Sequence, residues 1–186
     1  MPETAKGILF NVNLKFIKNK NKPELLEKIS KKLGKPLKYI DFFDYPAQEL
    51  LVIVEEIAKN IFPHKKTDEV YYLLAQENFA TLAQTPILKA MLPRAKKNPR
   101  IIAPKIPFLY KQIYRFGEIS VVDLEEKSCR IVFKNYVSLP QLQQGFLQKV
   151  SDVLGFNHKV GLNIHKFINN GNGDIKADFD LTLRWD

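Results

Sequence analysis

The chain has one cysteine, Cys129, in 186 residues. No internal disulfide and no thiolate cluster for a metal can form, so a buried structural thiol on a strand is the expectation. Histidine is nearly as scarce, with three copies. His158 and His165 lie seven apart on one predicted strand and so point to opposite faces, while His64 follows Phe62 and Pro63 in a predicted exposed loop. That spacing builds no metal site. No stretch reaches the roughly 18 apolar residues that a membrane helix needs, and residues 1–6 have no apolar core of the signal-peptide kind. No transmembrane segment and a cytoplasmic location are therefore expected. Glycine-rich phosphate loops and serine or cysteine nucleophile motifs are also missing, so no enzymatic constellation is legible.

What is present is ordinary in amount and uneven in placement. An apolar share of 45% and a charged share of 26% suit a globular chain of one domain, residues 1–186. The net charge is +9, from 29 basic and 20 acidic residues. Ten lysines between Lys6 and Lys38 face only Glu24 and Glu27, and seven basic residues between Arg94 and Arg115 face no acid at all. Such an excess attracts polyanions and anionic surfaces.

The clearest pattern is at the end of the chain. Ile175, Ala177, Phe179, Leu181, Leu183 and Trp185 alternate with Lys176, Asp178, Asp180, Thr182 and Arg184, the period-two signature of a half-buried strand. Asp178 and Asp180 then belong to a solvated sheet face. Ile119 and Val121, Ile131 and Phe133, and Val160, Leu162 and Ile164 mark three further strands, and residues 169–174, rich in asparagine and glycine, a hairpin loop. Between them Ser138 and Gln141 have capping-box spacing before a helix from Leu139 to Leu154 that Gly155 closes. Its Leu142, Phe146, Val150, Val153 and Leu154 are expected to face the sheet. Glycine inside that helix, at Gly145, implies a close helix–sheet approach.

The first 116 residues are mainly helical by the same reasoning. Residues 6–17 fit a strand and a helical stripe (Leu9, Phe10, Asn13, Leu14, Ile17) equally well. Pro23 starts one helix, whose Lys28, Lys31, Lys32 and Lys35 fit a solvated face. Asp44, Thr67 and Thr85 are cap candidates for the next three, the last of which should stop before Pro93. Pro93, Pro99, Pro104 and Pro107 forbid a long uninterrupted helix beyond it, with a shorter one over 108–115. The fold class is α+β: a helical part, 1–116, then a ββαββ unit, 117–186, with a mostly antiparallel four-stranded sheet.

Short motifs along the whole chain carry a family likeness: residues 7–10 (Gly7 to Phe10), 44–46 (Asp44 to Pro46), Phe62-Pro63, Gly117-Glu118, Pro140 with Gly145, and Arg184-Trp185. In these the sequence resembles a paralogous family of unknown function, about two hundred residues long, abundant in myxobacteria. Its ββαββ ending also resembles the haem-nitric-oxide-binding, vinyl-reductase-type and transport-particle-subunit domains. That resemblance implies an α+β shell around an apolar pocket for haem, small ligands or acyl chains, without an activity of its own. The haem-nitric-oxide family grips propionates with Tyr-x-Ser-x-Arg. Here Tyr136 and Ser138 match, but Pro140 replaces the arginine and carries neither charge nor donor. No histidine stands between His64 and His158 to serve as proximal ligand. Haem is therefore disfavoured and no cofactor is expected.

The candidate site is the basic stretch. Arg94, Lys96, Lys97, Arg100, Lys105, Lys111 and Arg115, interleaved with aromatic Tyr110, have the chemistry to hold phosphates and stack a base. The opposing interpretation is a solvated connector whose aromatics enter the core. Two functions follow. One is a non-enzymatic regulatory or adaptor domain that binds a small ligand or a protein partner in a pocketed shell. The alternative is a binder of nucleic acid or a cyclic or phosphorylated nucleotide through residues 94–115.

Overall fold

The computed structural model describes residues 3–170 and 174–185. A short strand, β1 (Thr4–Lys6), leads directly into α1 (Gly7–Asn19), which resolves the double signal of residues 6–17 in favour of the helix. Leu9, Phe10, Val12, Asn13, Leu14, Phe16 and Ile17 are all buried. A helix apolar on nearly every side is stable only when neighbours enclose it. Its first N–H groups are satisfied by the connector after α2 (Pro23–Leu33) rather than by a cap side chain: Gly7 donates to the Phe43 carbonyl (2.9 Å) and Ile8 to that of Asp41 (3.1 Å). A Cβ on Gly7 would stand 2.1 Å from the Ile40 carbonyl oxygen, so only glycine admits this contact.

Asp44 is not a helix cap. It opens β2 (Asp44–Pro46), which pairs antiparallel with β1, and Lys6 meets Asp44 at 2.9 Å. Helix α3 (Ala47–Ile61) follows without a side-chain cap, as does α4 (Thr67–Leu82), where Thr67 lies inside the helix. The lysines of α2 and just after it are not merely solvated: Lys28 and Lys32 reach the buried Glu56 of α3 at 3.1 and 2.9 Å, and Lys35, beyond the helix end, pairs with Glu49. Thr85 does cap α5 (Pro86–Lys97), accepting from the Leu88 N–H at 3.4 Å. This helix runs through Pro93 instead of stopping before it. One N–H is lost there, but Ala95 beyond it is buried and Arg94, Lys96 and Lys97 complement the helix C-terminus. The prolines then break the chain into α6 (Pro99–Ile102), a 3₁₀ turn (Ala103–Lys105) and α7 (Ile106–Ile113). β3 (Tyr114–Arg115) pairs with β1 and completes a small sheet ordered β2-β1-β3.

The second sheet holds β4 (Glu118–Val122), β5 (Ser128–Tyr136), β6 (Gly161–Asn169) and β7 (Ile175–Arg184) in the order β4-β5-β7-β6, every pair antiparallel. The chain is thus α+β, as expected. All six alternate apolar residues from Ile175 to Trp185 are buried. Phe133 and Phe179, partners in the β5–β7 register, stack at 4.4 Å. The opposite face is less solvated than expected, because Asp180 is 4% exposed and its carboxylate contacts His165 of β6. The hairpin tip predicted within 169–174 lies partly outside the described residues.

Helix α8 (Pro140–Leu154) has Leu139 at its cap position, and Ser138 is no cap; its hydroxyl accepts from Gln143 Nε2 at 2.9 Å. Leu147 joins the sheet core, whereas Leu142 packs on the helical core and Leu154 meets Ala95 and Ile102. Val153 is 47% exposed, outside the core. The close approach at Gly145 is to α4, not to the sheet: a Cβ there would lie 2.2 Å from the Tyr72 carbonyl oxygen. Three apolar clusters result: a helical one around Phe10, Ile53 and Leu74, a sheet one around Ile131, Phe133 and Phe179, and a small one of Ala95, Ile102 and Leu154.

Candidate functional site

The three clusters do not close on one another. Between them lies a cavity of about 950 Å³, lined by Leu51 and Val54 from the helical cluster, Leu183 and Trp185 from the sheet cluster, and Ile102 and Leu154 from the third. Protein interiors pack like organic crystals and leave few voids larger than a water molecule. A void of this size falls in the range of small-molecule pockets. Its position follows from local structure. The prolines break the chain at α6 and α7 into short pieces, and Trp185, just beyond the end of β7, has its indole N–H held by the Glu126 carbonyl at 2.9 Å.

Inside, the polar groups are few and mostly matched. Asn78 donates to Asn13 at 2.9 Å, and Asn13 to the Leu9 carbonyl at 2.8 Å. Ser138 and Gln143 satisfy each other on the α8 side. Tyr110 and Tyr114 stack at 5.9 Å, with Tyr110 also edge-on to Phe133 at 5.5 Å and to Tyr136 at 6.5 Å. Burial pushes the phenols of Tyr110 and Tyr136 far above the ordinary tyrosine range, and neither hydroxyl has a hydrogen-bond partner among the described residues. Burial likewise raises Tyr114, with a hydrogen bond from Gln143 acting the other way. All three are neutral. Of the side-chain types that commonly ligate haem iron, the cavity presents Tyr110, Tyr114 and Met91; among the described residues no histidine or cysteine lines it. Cys129 is buried in the sheet, its thiol pushed up to about 11 by burial. Among the described residues no three histidine, cysteine, aspartate or glutamate side chains are grouped to hold a metal.

The basic stretch is divided by the fold. Arg94, Lys96 and Lys97 occupy the last turn of α5, Arg100 lies in α6, Lys105 in the 3₁₀ turn and Lys111 in α7. All are exposed and outside the cavity lining. Arg115, in β3, is exposed and does border the cavity. Tyr110 must be removed from the surface set. It is 7% exposed and enclosed by aromatic rings, so it cannot stack on a nucleobase. The sequence reading missed Asn13, Asn78, Lys15 and Gln143 as cavity residues. The signal for Asn13 was there, an amide within an otherwise apolar helical stripe.

No curated protein matches this chain. Solved structures do, over nearly the whole length. A point mutant of the unliganded Fe(II) H-NOX protein from K. algicida is 17% identical, with 96% of each chain covered and a TM-score of 0.69. An oxygen-binding H-NOX domain related to soluble guanylate cyclases is 10% identical, covering 97% of this chain and 94% of its own, with a TM-score of 0.66. A structure probing heme distortion in the H-NOX family is also 10% identical, with the same coverage and a TM-score of 0.64. At these identities the likeness is one of fold. It corrects the expectation that no cofactor is present: one proline at 140 and a histidine-free interval are not grounds for setting haem aside in a chain that shares the full fold of haem-containing domains. No described helix is long and apolar enough to cross a membrane. A family model described as a protein of unknown function (DUF2378) matches residues 1–166, and the chain belongs to that family.

Proposed function

We propose that the chain is a single-domain, non-enzymatic regulatory module of the cytoplasm that senses a small ligand held in the central cavity and relays its presence to a partner protein. The observation that carries this is the 950 Å³ apolar cavity at the meeting point of all three cores. A ligand there touches the helices, the sheet and the broken segment α6–α7 together, so its arrival biases their relative packing. The H-NOX fold of the relatives supports a sensor rather than a catalyst.

Haem is one candidate ligand. The apolar walls suit a porphyrin, and Tyr110, Tyr114 or Met91 would have to supply any iron contact in the absence of an imidazole. Bound haem would add an iron centre for a small gas; the residues of the chain would enclose it and exclude water. The test is a thermal-unfolding screen of the full chain against hemin and a series of apolar molecules. Ligand at about a hundred times its dissociation constant adds about 2.7 kcal/mol, a rise of several degrees for a chain of this size. No rise with any compound would overturn the proposal.

A second function rests on a separate observation. Arg94, Lys96, Lys97, Arg100, Lys105 and Lys111 are exposed and make no ion pair with a described residue. A polyanion surface of this kind binds DNA, RNA or a nucleotide with an affinity that falls steeply as salt rises. Titration across a salt series checks it, and no binding at low salt would dispose of it.

A further inference from the structure

The connector between α2 and β2 carries an apolar knob on the outside of the molecule. Ile40, Phe42 and Phe43 are 56%, 80% and 60% exposed, three large apolar side chains within four residues. Clustered exposure of this kind marks an interaction surface. The knob is firmly seated, because Tyr39 and Tyr45 on either side of it pack on Phe10 with ring centres 4.3 and 5.6 Å away. Its backbone is saturated as well. Each carbonyl from Tyr39 to Phe43 accepts a hydrogen bond from within the chain. The donors, in that order, are the Asn11 amide (2.9 Å), the Phe43 N–H (3.0 Å), the Ile8 N–H (3.1 Å), the Lys6 ammonium (2.9 Å) and the Gly7 N–H (2.9 Å). A turn that stays in water needs no such saturation, since solvent serves its carbonyls; a turn that enters an apolar medium does. Cations stand beside it. Asn11, which also donates to the Asp41 carboxylate at 2.7 Å, shares its face of α1 with Lys15 and Lys18, about one and two turns further on. Lys15, Lys18 and Lys38 are exposed and make no ion pair with a described residue.

We infer that this knob docks the protein on an anionic lipid surface. Ile40, Phe42 and Phe43 enter the boundary between headgroups and acyl chains, and Lys15, Lys18 and Lys38 attract the headgroups. Buried apolar area and electrostatic attraction add in peripheral binding of this type. Lipid headgroups are laterally mobile, so each ammonium finds its own partner and the three need not converge on one group. A second copy of the chain fits poorly as the occupant, because it brings together like charges on two chains of net charge +9. An acidic protein would answer the lysines but would not require saturated carbonyls under the apolar tips. Docking of this kind goes beyond the ligand-sensing function and is independent of it.

The test is co-sedimentation of the full chain with vesicles of phosphatidylcholine alone and of phosphatidylcholine mixed with phosphatidylserine. The protein should pellet with the mixed vesicles and far less with the neutral ones. Phe42→Ser combined with Phe43→Ser should weaken that binding about tenfold or more. The melting temperature should not change, because both rings are exposed. Replacing Lys15, Lys18 and Lys38 together by glutamine should remove most of the preference for phosphatidylserine, whereas Arg94→Gln with Arg100→Gln should keep it. No binding to the mixed vesicles at low salt overturns the inference. Binding that survives loss of both phenylalanines overturns it too, since attraction would then follow net charge alone. A greater loss in the Arg94 and Arg100 variant than in the triple lysine variant does the same, by moving the contact to the basic stretch. So does capture of soluble polyglutamate through Phe42 and Phe43 without vesicle binding, which would make the partner an acidic protein.

Discussion

Gly145 of α8 lies directly against the Tyr72 carbonyl of α4: a Cβ on that glycine would stand 2.2 Å from the oxygen. The two helices meet backbone to side-chain-free backbone at this point, and Phe79 and Phe146 pack beside it at 5.6 Å. That contact joins the ββαββ unit to the helical part.

Gly145→Ala should therefore destabilise the protein, although alanine favours a helix over glycine by about 1 kcal/mol. Backbone cannot yield as a side chain does, so the helices must part, at a net cost of roughly 1–3 kcal/mol. Urea unfolding checks this; a variant as stable as the parent would mean that α4 and α8 can separate freely.

Trp185→Ala should remove roughly 3–5 kcal/mol, because the indole is 5% exposed and closes the sheet core. Trp185→Phe keeps most of the ring and loses the hydrogen bond to the Glu126 carbonyl, about 1 kcal/mol. Denaturant melts of both variants should separate the two contributions.

Glu56 governs part of the acid sensitivity. Burial alone would raise its carboxyl, but hydrogen bonds from Lys32 and Lys28 and their charges prevail, and it lies below the usual glutamate value of 4.5. A carboxyl lowered on folding contributes stability at neutral pH that is lost as pH falls through its folded value. Glu56→Gln should cost roughly 1–3 kcal/mol at pH 7 and flatten the decline of stability below the ordinary glutamate range. Unfolding curves at pH 7 and at stepped acid values measure both effects. An unchanged acid slope would show that Lys28 and Lys32 do not hold this carboxylate in solution.

The double substitution Arg94→Gln with Arg100→Gln should leave the melting temperature nearly unchanged, since exposed charges contribute little to stability. If residues 94–111 form an anion site, the same variant loses polyanion binding while Lys31→Gln with Lys32→Gln keeps most of it. Equal weakening by the two pairs would show attraction by net charge alone.

The sheet was legible because its signals are local and periodic. The alternation from Ile175 to Trp185 needs no tertiary information, and all six inward residues are buried. Asp180 was illegible because its burial depends on β6 laying His165 over it, a pairing that spans fifteen residues. The caps at Asp44, Thr67 and Ser138 failed for a related reason. Other partners, the distant Lys6 for Asp44 and the nearby Gln143 for Ser138, competed for two of those side chains. Pro93 was overruled by the burial of Ala95 just beyond it. The cavity itself leaves almost no trace in the sequence. A void is defined by how three clusters fail to meet, and only Asn13 within an apolar stripe pointed toward it.

The most direct test of a ligand-holding cavity is native mass spectrometry of the freshly purified full chain beside Ala75→Phe. Ala75 lines the cavity and is 8% exposed, so the added ring fills space that a ligand would use. The parent should carry the extra mass of one small molecule, and the Ala75→Phe variant should run at the bare chain mass while remaining folded by circular dichroism. A parent without bound mass, even after incubation with hemin and oleate, would contradict the proposed role of the cavity.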